Sequence, residues 1–119
     1  MLSKLNCIIV FLIISISPCF AADIYVGELA NYTNGAVVDI HAVFNVIPEY
    51  QAIQERGLTR EDADYYILLA RANTVFYNNV RVVANCGNYD LVLRLGSVEA
   101  EGLGLTDITQ DVVDEIESD

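Results

Sequence analysis

The sequence predicts an α+β fold, with a small β body built from strands near the two ends of the chain and a short helical hairpin protruding between them. Two short blocks carry the prediction. Gly35-Ala36-Val37-Val38-Asp39-Ile40-His41-Ala42-Val43-Phe44 and Gly87-Asn88-Tyr89-Asp90-Leu91-Val92-Leu93-Arg94-Leu95-Gly96 each read as a short strand at a helix boundary. The stretch between them has helical character. A strand, a helical excursion and a returning strand suit a binding or assembly protein better than an enzyme.

The chain has 119 residues, and its first 21 have the anatomy of a secretory signal. Lys4 supplies the positive n-region, residues 7–16 form an apolar core in which Ser15 is the one polar residue, and Pro18 breaks the helix. Cys19 and Ala21 are small residues suitably placed for cleavage before Ala22. The expectation is a signal peptide over 1–21 and one mature domain over 22–119, in the periplasm or secreted. A retained anchor is disfavoured because the apolar run falls short of the roughly 20 residues that span a bilayer. Pro18 directly before Cys19 disfavours a lipid on that cysteine.

Removing the leader takes away Lys4, the only lysine, and leaves five arginines against 17 acidic residues, a net charge of −12. Nucleic acid and anionic membranes are bound through clustered Lys and Arg, so both are disfavoured as partners. Cys7 and Cys19 leave with the leader. Cys86 is then the only thiol, no intrachain disulfide can form, and the fold must rest on packing. About 100 residues suffice for one modest core.

Along the mature chain, residues 23–32 alternate loosely and end at Asn34-Gly35, the preferred dipeptide of a two-residue hairpin turn. The expectation is a hairpin with residues 36–40. Asn31-Tyr32-Thr33 also fits an N-glycosylation sequon, a short pattern that matters only in a eukaryotic secretory pathway. Asp39 is placed to cap a short helix carrying Val43, Phe44 and Val46. Pro48 starts a second helix and Gly57 closes it. Thr59 is the expected N-cap of a long helix over residues 60–85, with Glu61, Asp62 and Asp64 at its positive end.

In that long helix Tyr65, Leu69, Ala72, Phe76 and Val83 fall close to a heptad seam, with Asn79 interrupting it. Tyr66, Ala70, Tyr77, Val80 and Ala84 make a second stripe beside the first. So wide an apolar face exceeds what the short preceding helix can cover, which points to ordinary core, an inter-subunit seam or a surface for apolar clients. Beyond Cys86-Gly87, residues 89–95 read as a strand, and Gly96, Gly102 and Gly104 mark loops. A last helix is expected with Thr109 as N-cap, Ile108 stapled on Val113, and Ile108, Val112 and Ile116 as its buried stripe.

Residues able to do bond chemistry are few. His41 is the only histidine, and Cys86 sits at a helix C-terminus, the wrong end of the dipole for a thiolate nucleophile. A buried or half-buried cysteine is the expectation. Glu99 with Glu101, or Asp111 with Asp114 and Glu115, lack the spacing of an EF-hand and read as a solvated face. No catalytic, cofactor-binding or metal residue is therefore assigned, and no enzyme is expected.

The chain resembles the periplasmic chaperones called Skp or OmpH. The resemblance rests on residues 35–44 followed by Pro48-Glu49, then on Val82-Val83-Ala84, Tyr89-Asp90-Leu91-Val92-Leu93, Gly96-Ser97-Val98 and Asp107-Ile108-Thr109, in that order. It implies a homotrimer whose β body carries helical arms around a client cavity, and ATP-independent holding of unfolded outer-membrane proteins without a cofactor. On this basis Val37, Val38, Val92, Leu69, Phe76 and Val83 are the expected oligomerisation residues. Tyr65, Tyr66, Leu69 and Tyr77 are the expected client-binding residues. Two departures stand out: the helical excursion over 48–85 is far shorter than the family's arms, and the chain is acidic where familiar members are basic. The rival expectation is a structural or scaffolding oligomer of the cell envelope that has lost client holding.

Overall fold

The computed structural model describes residues 23–118, so the expected signal peptide lies outside the described residues. The chain forms a mixed α+β structure with a four-stranded sheet and four helices. In chain order the elements are β1 (Ile24–Val26), β2 (Gly35–Val38), α1 (Ile40–Phe44), α2 (Pro48–Arg56), α3 (Ala63–Cys86), β3 (Leu91–Arg94), β4 (Thr106–Asp107) and α4 (Thr109–Glu117). Among these no helix is long and apolar enough to cross a membrane.

The sheet order is β1-β3-β2-β4. β2 and β3 run parallel, with Ala36 opposite Val92 and Val37 opposite Leu93. A parallel pair needs a long crossover, and α1 to α3 supply it. This is the strand, helical excursion and returning strand that the sequence predicts. The hairpin expected at Asn34-Gly35 is not formed, because β1 pairs antiparallel with β3 instead. β2 has parallel neighbours on both sides, β3 and β4, which leaves no edge for β1.

The alternation of β2 and β3 divides the core between the two faces of the sheet. Ala36, Val38 and Val92 pack under the helices with Val43, Phe44, Ile47, Phe76, Val80, Val112 and Ile116. Val37, Leu91 and Leu93 face the other way, under Tyr32, Ala100 and Leu105 from loops. The oligomerisation residues Val37, Val38, Val92, Phe76 and Val83 are thus buried inside a single chain, at 9% exposure or less. Their apolar surface is already covered without a second copy.

Local signals set most of the boundaries. The Asp39 carboxylate accepts from the backbone N–H groups of His41 and Ala42 and caps α1. Pro48 opens α2, and Gly57 closes it in the left-handed conformation, φ 64°. The expected cap at Thr59 moves to Asp62, because residues 59–62 form a turn in which the Thr59 N–H donates to the Asp62 carboxylate at 2.9 Å. α3 ends at Cys86, but Asn88 (φ 59°), not Gly87, takes the left-handed conformation, and the Tyr89 N–H closes back on the Ala84 carbonyl at 2.8 Å.

The start of α4 also shifts by one residue. Ile108 is the flanking residue and Thr109 the first helical one, with the Asp107 carboxylate accepting the Thr109 N–H at 2.9 Å. The Thr109 hydroxyl is used elsewhere, accepting from the Asp39 N–H at 2.9 Å and tying α4 to the end of β2. The stripe of Ile108, Val112 and Ile116 is buried as the sequence predicts.

Candidate functional site

The candidate site is the helix pair formed by α2 and the first turns of α3, here called the arm. Ile53 is the one buried residue of α2, and an ion pair between Arg56 and Asp64 (2.8 Å) ties the two helices together. Both partners of that pair are about half exposed, so its contribution to stability is small. Tyr65-Tyr66-Ile67-Leu68-Leu69 then puts five consecutive large apolar side chains around the helix. A helix hydrophobic all round needs cover all round. α2 covers one side only. Tyr66 and Ile67 stay 53% and 48% exposed, and Tyr65, Leu68 and Leu69 are half-buried. The Tyr65 and Tyr66 rings meet edge to face at 5.1 Å, which fixes an aromatic ridge on the arm.

The same helix is closed further along. Ala72, Phe76, Asn79, Val80, Val83 and Ala84 are buried. Phe76 sits between Tyr25 (5.0 Å between centroids), Phe44 (5.3 Å) and Tyr77 (5.2 Å). Asn79, the break in the expected seam, satisfies its amide within the helix by donating to the Val75 carbonyl at 2.7 Å. Of the four expected client residues, Tyr65, Tyr66 and Leu69 share the arm, although half-buried Leu69 also packs against the core of the body. Tyr77 does not join them, since its half-buried ring packs on Tyr25 and Phe76 in the body. Ile67 belongs to the arm surface and was missed, because periodicity gives a stripe but not which side α2 covers.

Around the body the electrostatics serve structure. Burial pushes the Tyr25 hydroxyl well above the ordinary phenol range, helped by neighbouring Tyr77, so it stays neutral. Arg94 is held charged by its hydrogen bond to Asp23 (Nε to Oδ1, 2.8 Å), joining β3 to the start of β1. The Asp90 carboxyl is held below the usual range by the N–H groups of Asn34 and Thr33.

Cys86 and His41 are both exposed, and the cysteine is therefore not the buried residue the sequence suggests. Cys86 lines an open groove of about 500 Å³ with Tyr89, Asp111, Asp114 and Glu115. Among the described residues no group of three or more His, Cys, Asp or Glu is arranged to hold a metal ion.

Compared with known proteins, the chain matches no family model, no curated protein and no solved structure.

Proposed function

We propose that this is an exported, ATP-independent holding protein that binds unfolded or partly folded chains, outer-membrane proteins among them, on the apolar face of its arm. The observation that carries the reading is the five-residue apolar run with two members about half in water. Fully burying such a side chain is worth roughly 1.5–3 kcal/mol, and the single-chain fold leaves that gain unused. The resemblance to Skp and OmpH supports the same reading, as does the parallel pairing of the first and last blocks around a helical excursion. A homotrimer remains part of the proposal. Its contacts would have to use surface left outside the core, such as half-buried Leu69 or exposed Leu95 and Val98.

The short arm favours one alternative, since a nine-residue α2 can enclose little. In that alternative the chain is a structural oligomer of the envelope without client holding. The two separate in one assay: aggregation of a denatured outer-membrane protein, with and without this chain, across a salt series. Apolar holding suppresses aggregation and persists as salt screens charge over a Debye length of about 8–10 Å. No suppression at several-fold molar excess favours the scaffold.

A further inference from the structure

The Asn34-Gly35 dipeptide, whose hairpin turn is not formed, is placed by packing and hydrogen bonding. Asn34 is exposed and works as a latch. Its side-chain amide donates to the carbonyls of Asn88 (3.0 Å) and Gly87 (3.4 Å), its N–H donates to the Asp90 carboxylate (2.9 Å), and its carbonyl accepts from the Asp90 N–H (3.0 Å). The Asp90 carboxylate also takes the N–H and hydroxyl of Thr33. Gly35 is buried at the start of β2, where a Cβ would lie 2.7 Å from Leu105 Cδ2 and 3.2 Å from the Tyr32 ring. A side chain at position 35 would have to push Leu105 and the Tyr32 ring aside, and the latch is made by asparagine; together Asn34-Gly35 is the sequence least hindered for attack of a backbone nitrogen on a neighbouring amide.

We propose that Asn34 is a self-modification site, deamidating at a rate set by opening of this latch. The Gly35 nitrogen, having given its proton to solvent base, attacks Asn34 Cγ. The new C–N bond closes a five-membered imide as the Cγ–Nδ2 bond breaks, and the departing nitrogen takes a proton from solvent acid and leaves as ammonia. Water then opens the imide at one carbonyl or the other, giving aspartate or an isoaspartyl linkage with one extra backbone carbon. In the closed latch Asn34 Nδ2 is held by two carbonyls, and Gly35 is fixed in β2 opposite Leu91, so reaction needs local opening. After reaction a carboxylate faces the carbonyls of Gly87 and Asn88 and the charge of Asp90. The latch then holds less tightly, and the 27–34 loop that carries Tyr32 over Val37, Leu91 and Leu93 is released.

The test is peptide mapping of Asn34, with isoaspartate detection, on purified protein kept at pH 8 and 37 °C in buffer or in urea. The expected rate in buffer is at least ~10-fold below that in urea, as local opening requires. Equal rates would overturn the gating. Asp90→Ala is expected to raise the rate in buffer toward the urea value. If that variant is unfolded by circular dichroism, Thr33→Val, which removes one bond to Asp90, should raise it by a smaller factor, and no change in the folded variant would count against the latch. Asn34→Asp is expected to lower Tm by several degrees, and an unchanged Tm would overturn the claim that modification releases the loop.

Discussion

The two halves of α3 are one continuous helix with two different fates. From Ala72 onward its apolar face is closed by Tyr25, Phe44 and the sheet, and Phe76 is completely buried. Before Ala72 an equally apolar sequence meets the core only through Leu69 and is otherwise covered by α2, and Tyr66 and Ile67 are left about half in water. Residue type does not separate the halves; neighbours do. The chain supplies β1, α1 and α4 to one end of the helix and a single nine-residue helix to the other. Stability should therefore reside in the body and spare binding surface in the arm.

The largest effect should come from the body. Phe76→Ala removes a ring that touches three others and is expected to cost about 3–5 kcal/mol in denaturant unfolding. Phe76→Asp should unfold the chain outright, and not merely separate copies, because the ring is buried within one chain. A folded monomer of Phe76→Asp would put the ring at an interface after all.

Gly27→Ala comes next. The position has φ +81°, and a Cβ there would collide with the Asp90 carbonyl, so overpacking and strain together should cost about 1–3 kcal/mol or more. Asp39→Ala should cost less, about 1 kcal/mol, through loss of the α1 cap. Both are read by the shift in urea midpoint at constant m-value.

Much of the fold is legible in the sequence where a local residue decides it. Pro48, Gly57 and Asp39 act within one turn of chain, and the 108, 112, 116 stripe needs only helical spacing. The strand partners are a different matter. Asn34-Gly35 is the strongest short-range hairpin signal, but β1 ends at Val26, and both edges of β2 are taken by β3 and β4 from far along the chain. Likewise β4 is two residues long and carries no periodicity to detect. For the site, the apolar run was visible and its position on the arm was not. Tyr77 was grouped with Tyr66 because they share a stripe, yet Tyr25, distant in sequence, takes Tyr77 into the body.

A smaller effect tests the latch through pH. The folded-state pKa of Asp90 is depressed by the Asn34 and Thr33 N–H groups, so its contribution is present above the ordinary value of 3.8 and is lost as pH falls through the depressed one. The Tm difference between wild type and Asp90→Ala should stay constant from pH 7 down to about 5 and shrink below about 4. A difference that grows on acidification would contradict the assigned bonds.

The smallest effect on stability should come from the arm, where Tyr66→Ser with Ile67→Ser removes side chains about half exposed. The most direct measurement is aggregation suppression of a denatured outer-membrane protein by this double variant, alongside its thermal unfolding. The account predicts near-native unfolding and lost suppression. Suppression retained at wild-type strength by a normally folded variant would contradict it.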